Sequence, residues 1–429
     1  MSRARSLTEV AAHGLCTGCG LCAGMSTGGV TMVMTAEGFL RPSVAPDIDP
    51  KEHARLLALC PGSRVGPPSS DAPRATDTAW GTHRRIVKAH ALDAELRHRG
   101  SSGGVISAIA NFLLESKSVE FVLHIAADPE APLRSRVQLS LGRANVLDAA
   151  GARYGPAAPL ERMGELLELG LPFAVVGKPC DIAGIRNLAR HDPRVTRLVR
   201  FTVSFFCAGV SSLRISEQIV AKYGLGPEDV KVMRYRGFGC PGPTHIEAKD
   251  GGIFEQTYDE TWSEELNEDI QFRCKICPDA TGEHADIVCG DAWVTMDGYA
   301  HTEHEGWNSV IARSEAGERL LERLEEARAV ATEPLSIGDL DQIQPHQVER
   351  KTEVLARLVG LALRRQPLPV YRGLRLARNA WTGRHKFLSS VVGTYRRVRR
   401  GGNREDLTSL AAPRGLEPPD PATRAPPPS

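Results

Sequence analysis

The pattern of apolar and polar positions along the chain predicts an α/β fold. Short apolar runs bounded by turn-forming residues indicate buried strands, and stretches with an apolar residue at every third or fourth position indicate helices. Strands are predicted at residues 30–34, 39–42, 86–91, 121–126, 137–141, 172–177, 198–206, 230–236, 245–248, 253–257 and 309–312, and a further short apolar strand ends in Gly290-Asp291. Helices are predicted at residues 105–114, 182–189, 213–223 and 315–330. Strands that alternate with helices in this way form a sheet that is covered by helices.

Changes in composition divide the chain into four parts. Residues 1–80 form a small module rich in glycine and proline, which ends in a linker. Residues 81–340 carry the strands and helices of the α/β core. Residues 341–400 are predicted to be helical. Residues 401–429 are rich in proline and alanine and are predicted to be a disordered tail, because they offer too few apolar side chains to form a core.

The helical C-terminal region is basic at its end. Helices are predicted at residues 348–363 and 381–398, and the second one ends in four arginines, namely Arg396, Arg397, Arg399 and Arg400. A basic helix of this kind is compatible with an anionic membrane surface. A solvated or partner-facing helix is the commoner arrangement, and we favour it.

The bulk properties indicate an ordinary soluble protein with redox or metal chemistry. The 429 residues carry a net charge of +1, so no nucleic-acid partner is expected. No signal peptide and no apolar run long enough to cross a bilayer are seen, and a cytoplasmic location is expected. Ten cysteines in a reducing compartment favour metal or redox chemistry over disulfides.

A first set of cysteines lies near the N-terminus. Cys16, Cys19 and Cys22 have the CxxCxxC spacing of a bacterial-ferredoxin [4Fe–4S] site, whose fourth ligand is a later cysteine followed by proline. Such a Cys-Pro step occurs at Cys60, so these four cysteines are predicted to enclose one cluster, with residues 23–59 as a hairpin-like insert. The alternative is a structural zinc ion held by four thiolates. Three cysteines within seven residues favour the cluster.

A second set of cysteines lies in the core. Cys274 and Cys277 form a CxxC pair that can hold a metal from one turn, although an isolated pair is equally compatible with a zinc ribbon or free thiols. Cys180 and Cys207 each follow a predicted strand and precede a helix. Two consecutive strand–cysteine–helix units place both thiols at the carboxyl edge of a parallel sheet, where α/β proteins bind ligands. Each of these two could also be a small buried residue.

A glycine-rich loop precedes the first core helix and is a candidate anion site. It consists of Gly100, Ser101, Ser102, Gly103 and Gly104. Backbone N–H groups at a helix N-terminus bind the phosphates of a flavin or a dinucleotide. The simpler interpretation is that Ser102 caps the helix. Arg153 and Tyr154, in a later loop, offer a guanidinium and a phenol for contact with a ligand.

Several spaced motifs together resemble one known family. They are Cys16–Cys22 with Cys60-Pro61-Gly62, Gly100–Gly104, Lys178-Pro179-Cys180-Asp181, Phe206-Cys207, Cys274–Cys277 with Asp279, and Ala285-Asp286-Ile287 leading to Gly290-Asp291. In this order, over roughly residues 10 to 340, the chain resembles the beta-subunit family of coenzyme F420 hydrogenases and dehydrogenases. In layout it is most similar to the ferredoxin-dependent reductases of chlorophyll pigments within that family.

The resemblance implies a ferredoxin-like iron–sulfur module followed by a mixed-sheet α/β core that binds FAD. It also implies one or two [4Fe–4S] clusters, with coenzyme F420 as a possible further cofactor. The second cluster would take Cys274 and Cys277 with Cys180 and Cys207. Cys240 and Cys289 remain, so the fourth ligand stays open. The glycine-rich loop, with Lys178, would then belong to the flavin site.

The function predicted from this resemblance is an FAD- and iron–sulfur-dependent oxidoreductase. Electrons would pass from ferredoxin, another redox partner or reduced coenzyme F420 through the clusters to FAD, and then to a small organic substrate. Asp291, Lys178 and Asp181 are candidates for proton donation or flavin tuning, although Asp181 is also well placed to cap a helix. The alternatives are a relay subunit without its own substrate and a zinc-held binding module. A homo-oligomer is compatible with the sequence.

Overall fold

The structure is a computed structural model that describes residues 2–68, 74–292 and 303–407. The N-terminal part contains three helices and four strands: α1 Leu7–Ala12, α2 Leu21–Gly24, β1 Val30–Met34, β2 Leu40–Val44, α3 Pro50–Leu59, β3 Arg64–Val65 and β4 Ala75–Asp77. Strands β1 and β2 pair in an antiparallel hairpin. This hairpin confirms the predicted insert between the third and fourth cysteines of the first set.

The core begins with β5 and continues to β16. Its strands are β5 Gly81–His83, β6 Arg85–Ala91, β7 Phe121–Ala127, β8 Ser135–Ser140, β9 Phe173–Val176, β10 Val199–Phe205, β11 Val230–Arg234, β12 Thr244–Ala248, β13 Ile253–Gln256, β14 Ile287–Asp291, β15 Asn308–Ala312 and β16 Val330–Pro334. Its α-helices are α4 Ala94–Arg99, α5 Val105–Glu115, α6 Arg143–Asp148, α7 Met163–Glu168, α8 Pro179–Ala189, α9 Pro193–Leu198, α10 Leu213–Ala221, α11 Phe272–Lys275 and α12 Glu315–Glu326. A 3₁₀ turn at Pro227–Asp229 and a π-helix at Glu260–Leu266 complete it.

The C-terminal part is mostly helical, as predicted. It consists of α13 Ile337–Ile343, α14 Pro345–Leu363, β17 Val370–Tyr371, α15 Leu376–Thr382, a 3₁₀ turn at Arg384–Lys386 and α16 Phe387–Arg399. The single helix predicted at 381–398 is therefore wrong. The chain turns at Gly383, where an added Cβ would lie 2.5 Å from the Cβ of Thr352 on α14, so the close packing of the two helices requires glycine.

An eight-stranded mixed sheet organises the core, in the order β16-β6-β15-β14-β10-β9-β7-β8. The four central strands, β14, β10, β9 and β7, run parallel, and the outer strands pair antiparallel. This arrangement confirms the predicted α/β class with a mixed sheet. Strand β16 was missed because residues 315–330 have a helical pattern, whereas α12 ends at Glu326.

Helices cover both faces of the sheet. On one face α5 and α12 pack on alternate residues of the strands, as Ile109 and Leu324 show. On the other face α7, α8 and α9 pack on the intervening residues, such as Phe173 and Val175 of β9. Because successive strand residues point to opposite faces, both sides of the central strands are apolar. The parallel strands are thus covered on both faces, and their carboxyl ends form one common edge.

The N-terminal and C-terminal parts share a hydrophobic cluster. Leu15 and Cys16 pack with Ile276, with Val354 and Leu361 of α14, and with neighbouring apolar residues. The two ends of the chain therefore meet beside the CxxC segment at Cys274–Cys277. This contact joins elements that the composition places in separate parts of the chain.

The start of the predicted disordered tail has a defined position. In residues 401–407 the side chain of Asn403 is buried and the carboxylate of Glu405 forms a bidentate ion pair with Arg41. The prediction of disorder from residue 401 is therefore wrong for these seven residues. The remaining tail, 408–429, lies outside the described residues.

No α-helix within the described ranges is both long enough and apolar enough to cross a membrane.

Candidate functional site

The structure brings the first four cysteines together. Cys16, Cys19 and Cys22 lie in and just after the turn between α1 and α2, and Cys60 follows the last residue of α3. Gly18 and Gly20 have φ angles of 72° and 79°, which wrap this segment tightly. Burial raises the pKa of all four thiols, and the negative charges of their cysteine neighbours raise the pKa of Cys19, Cys22 and Cys60 further. The pKa reaches about 12 for Cys19 and about 11 for Cys60.

The structure also brings four core cysteines together. Cys180 lies in the first turn of α8, Cys207 follows β10, and Cys274 and Cys277 lie in and just after α11. Burial, followed by the charges of Cys274 and Cys277, raises the pKa of Cys207 to about 12. Burial is the largest cause of the raised pKa of Cys180, and the charges of Cys207 and Cys277 raise this pKa further. The two sheet-edge thiols thus converge with the CxxC pair.

The two remaining cysteines lie elsewhere. Cys289 is buried within β14 in the hydrophobic core, and burial alone raises its pKa. Cys240 lies beside Ser102, Arg236 and Asp291, on the side of the glycine-rich loop. Of the three cysteines left open as the fourth member of the second group, the structure therefore places Cys180 with it.

The chemistry of the two groups suits an iron–sulfur cluster. Buried thiols with raised pKa values stay protonated in the absence of metal, and metal binding deprotonates them. Four thiolates in a site largely shielded from water need nearby cations, and Arg273, Arg350, Arg41 and Lys178 supply them. In the described part of the chain, no three His, Cys, Asp or Glu side chains are arranged to bind a single metal ion.

Lys178 and Asp181 form a buried ion pair at the start of α8. Lys178 Nζ lies 2.9 Å from Asp181 Oδ2, and the same oxygen accepts the backbone N–H of Lys178 at 2.9 Å. The helix begins at Pro179 and not at residue 182, so Asp181 is its third residue. Its side chain still caps the helix, because it accepts the backbone N–H of Lys178 in a capping box. The charge of Lys178 acts on the thiols of Cys180 and Cys207.

The glycine-rich loop is fixed by the neighbouring backbone. Gly104 precedes α5 with φ of 71°, and an added Cβ would lie 2.6 Å from the carbonyl oxygen of Leu96. Ser102 Oγ donates to the carbonyl oxygen of Trp307 at 2.7 Å and does not cap α5, so the simpler interpretation of this serine is wrong. Gly103 approaches Asn308 so closely that an added Cβ would lie 2.9 Å from its backbone nitrogen.

A buried arginine connects this loop to Asp291. Arg236 Nη1 donates to Asp291 Oδ2 at 3.0 Å and to the hydroxyl of Tyr154 at 3.3 Å, while Nη2 donates to the carbonyl oxygen of Ser101. Its guanidinium carbon lies 4.9 Å from the centre of the Tyr258 ring. The sequence-predicted residues Asp291, Tyr154 and Ser101 therefore meet around one side chain.

Arg236 and Tyr258 are the site residues that the sequence reasoning missed. Arg236 directly precedes residues 237–242, a loop interrupted by glycines, and this position is the feature of the sequence that could have identified Arg236 as a site residue. Arg153, by contrast, donates to the carbonyl oxygens of Pro132, Arg134 and Met233 and to the hydroxyl of Ser135. These bonds make Arg153 a structural link between backbone segments.

The fold and the two cysteine groups define an α/β protein with eight clustered thiols beside a mixed sheet. Two matches to the family described as "Coenzyme F420 hydrogenase/dehydrogenase, beta subunit" agree with this: residues 86–163 match its N-terminal part and residues 172–337 its C-terminal part. Together these matches cover more than half of the chain. The chain therefore belongs to the coenzyme F420 hydrogenase/dehydrogenase beta-subunit family, which confirms the resemblance noted in the sequence.

Curated relatives agree with this family. The coenzyme F420 hydrogenase subunit beta of Methanococcus voltae is 27% identical over 289 residues, which cover 63% of this chain and 92% of that protein. The coenzyme F420-dependent sulfite reductase of Methanocaldococcus jannaschii is 24% identical over 363 residues, or 81% of this chain and 52% of that protein. Both names describe redox proteins.

A solved structure shares the fold. A chain in the structure titled "Xenon derivatization of the F420-reducing [NiFe] hydrogenase complex from Methanosarcina barkeri" aligns with a TM-score of 0.53 and 20% identity. The alignment covers 68% of this chain and 98% of that chain.

Proposed function

We propose that the chain is an oxidoreductase that holds two [4Fe–4S] clusters and FAD and transfers electrons between a redox partner and a small organic substrate. The observation that carries the proposal is the convergence of eight cysteines into two groups of four. The partner is ferredoxin or a similar protein, or reduced coenzyme F420 in its place. The names of the relatives, which refer to coenzyme F420, favour the same class of reaction.

The first cluster would be held by Cys16, Cys19, Cys22 and Cys60, and the second by Cys180, Cys207, Cys274 and Cys277. Cys16 and Cys19 are buried, the other six cysteines are half-buried, and arginine or lysine side chains lie near each group. Cations beside a cluster offset the negative charge of four thiolates and favour its reduced form. The two groups consist of different cysteines, so substitutions can remove the ligands of one proposed cluster and leave the ligands of the other in place.

The flavin would lie at the glycine-rich loop, beside the group formed by Arg236, Asp291, Tyr154 and Tyr258. The backbone at the start of α5 and the buried guanidinium are suited to an anionic or polar part of a cofactor. A bound flavin exchanges electron pairs with organic substrates and single electrons with clusters. Asp291 is partly accessible, with 22% of its side chain exposed, and its charge, paired with Arg236, suits it to tuning the flavin.

Lys178 and Asp181 have a supporting part in this proposal. Their ion pair is shielded from solvent and fixes the first turn of α8, which carries Cys180. The ammonium group also neutralises charge next to two proposed cluster ligands. Direct contact of Lys178 with the flavin, or of Asp181 with substrate, remains a prediction.

Anaerobic purification tests the proposal. The purified chain is expected to contain about eight iron and eight acid-labile sulfide atoms, as two [4Fe–4S] clusters require, and to release FAD on denaturation. The variant Cys289→Ala is the matched control, because Cys289 lies outside both groups, and it is expected to retain the full iron content. A colourless protein, or one that contains zinc without flavin, contradicts the proposal.

A relay subunit without its own substrate is a second candidate. The names of several relatives describe subunits, and a relay subunit passes electrons to a separate catalytic chain. Turnover of an organic substrate by the isolated chain with a chemical reductant supports the enzyme. Reduction of both clusters and the flavin, without turnover until a second chain is added, supports the relay.

A further inference from the structure

Arg273 lies between the two cysteine groups. It belongs to α11 and directly precedes Cys274, while its Nη2 donates to the carbonyl oxygen of Pro61, next to Cys60, at 3.3 Å. Its guanidinium carbon lies 5.3 Å from the centre of the Tyr371 ring, and the residue is only 2% exposed. Arg273 is thus a buried cation that contacts the residue after Cys60 of the first group and lies in the same helix as Cys274 of the second group.

The guanidinium of Arg273 is only partly satisfied. Its Nε and Nη1 atoms are buried and have no hydrogen-bond partner among the described residues, and no described carboxylate lies within ion-pair distance. Burial of an unpaired cationic group costs several kcal/mol unless an anion compensates it. Nε and Nη1 therefore need a hydrogen-bond acceptor that the described residues do not provide.

The other cations near the cysteines have partners of their own. Arg41 forms a bidentate ion pair with Glu405, and Lys178 pairs with Asp181. Arg350 donates to the carbonyl oxygens of Cys207, Ala208 and Cys274. Arg273 differs from Arg41 and Lys178 because no described carboxylate matches its charge, and it differs from all three because two of its buried nitrogens have no acceptor among the described residues.

The charge of Arg273 acts on thiols of both groups. In the first group it lowers the pKa of Cys16 and Cys60 against the larger effect of burial. In the second group it lowers the pKa of Cys277 in the same way, and it also interacts with Cys180 and Cys274. A positive charge that favours thiolates on both sides also favours the more negative, reduced state of a cluster on either side.

We propose that Arg273 is a shared counter-cation of the two clusters, with Nε and Nη1 as hydrogen-bond donors to cluster or thiolate sulfur. The inference rests on the proposed function, since it requires both clusters. Hydrogen bonds to sulfur and nearby positive charge raise the reduction potential of a cluster. Arg273 therefore raises the reduction potentials of both clusters, so a substitution of this one residue shifts both potentials.

Reduction potentials test the proposal directly. Potentiometric titrations followed by electron paramagnetic resonance are made on the anaerobic full chain and on R273Q, R273K and R350Q. R273Q is expected to shift both cluster potentials to more negative values, whereas R273K, which keeps the charge, stays nearer the parent protein. R350Q is the matched control, because Arg350 acts on Cys207 and Cys277 of the second group, and it is expected to shift the second cluster.

The parent protein offers an independent measurement if R273Q fails to assemble its clusters. Two clusters on either side of one guanidinium are close enough for their reduced forms to show magnetic interaction in the fully reduced spectrum. Such interaction, with R273K keeping both potentials near those of the parent, supports the proposal. Two non-interacting clusters, or unchanged potentials in R273Q, overturn it. A parent protein without iron and sulfide contradicts the proposed function instead.

Discussion

Asp291 Oδ2 lies 3.0 Å from Nη1 of Arg236, although 55 residues separate them in sequence. Arg236 is almost fully buried, and Asp291 ends the central strand β14. The same guanidinium donates to the backbone of Ser101 in the glycine-rich loop. This ion pair thus connects the carboxyl edge of the sheet to the loop where we propose that the flavin binds.

Asp291→Asn is expected to reduce flavin content while leaving the iron content unchanged. The amide keeps the shape of the side chain but removes the charge opposite Arg236, which weakens the contact between this buried guanidinium and the end of the strand beside the glycine-rich loop. Flavin released on denaturation and iron per chain are the two measurements. Glu325→Gln, which removes the carboxylate that pairs with Arg85, is the control. Full flavin occupancy in Asp291→Asn contradicts this assignment.

Cys207→Ala is expected to halve the iron and sulfide content. Cys207 is one of the four thiols in the second group, so only the second cluster is expected to be lost. Cys22→Ala is the reciprocal variant and is expected to spare the second cluster. Iron analysis and electron paramagnetic resonance of the reduced proteins distinguish the two. Loss of all iron in both variants would show that the groups do not assemble separately.

Glu283→Gln is expected to destabilise the protein by about 3–5 kcal/mol, the usual cost of breaking a buried ion pair. The Glu283 carboxylate is fully buried and pairs with Lys351 and Arg375, which attach the C-terminal helices to the core. The midpoint of denaturant unfolding measures the change. Arg162→Gln is the exposed control, because its pair with Glu165 is solvated and is worth at most about 1 kcal/mol. Equal midpoints would refute a structural role for Glu283.

His124 is expected to make stability depend on pH between about 4 and 6.5. Burial lowers its pKa from 6.5 to about 4, and its Nε2 lies 2.7 Å from Ser140 Oγ. The unfolded chain binds this proton more readily, so the contribution is complete above pH 6.5 and is lost as the pH falls toward 4. The loss is at most about 3 kcal/mol, and less because the residue is partly exposed to solvent.

The variant His124→Gln isolates this effect. Other groups titrate in the same range, so the free energy of unfolding of the parent and the variant is compared at matched pH values and equal cluster content. The difference between them is expected to shrink as the pH falls from 6.5 toward 4. A difference that stays constant over this range would mean that His124 keeps an ordinary pKa in the folded protein.

Local chemistry made much of the architecture predictable. The strands of the central sheet follow their apolar runs, and the spacing of Cys16, Cys19 and Cys22 specifies a tight turn because the three lie within seven residues. The sheet-edge positions of Cys180 and Cys207 also follow from sequence, since each thiol stands between a strand and a helix. These features depend on neighbours in the chain, and neighbours are visible in a sequence.

Contacts between distant residues were decided only by the tertiary structure. Arg41 meets Glu405 across 364 positions, Glu283 meets Lys351 across 68, and Arg273 lies between two cysteine groups that meet only on folding. Such pairs have no periodicity, because each depends on how separate elements pack. The sequence by itself therefore determined the fold class, the family and the local cysteine turns. The packing of those elements decided which charges surround the thiols.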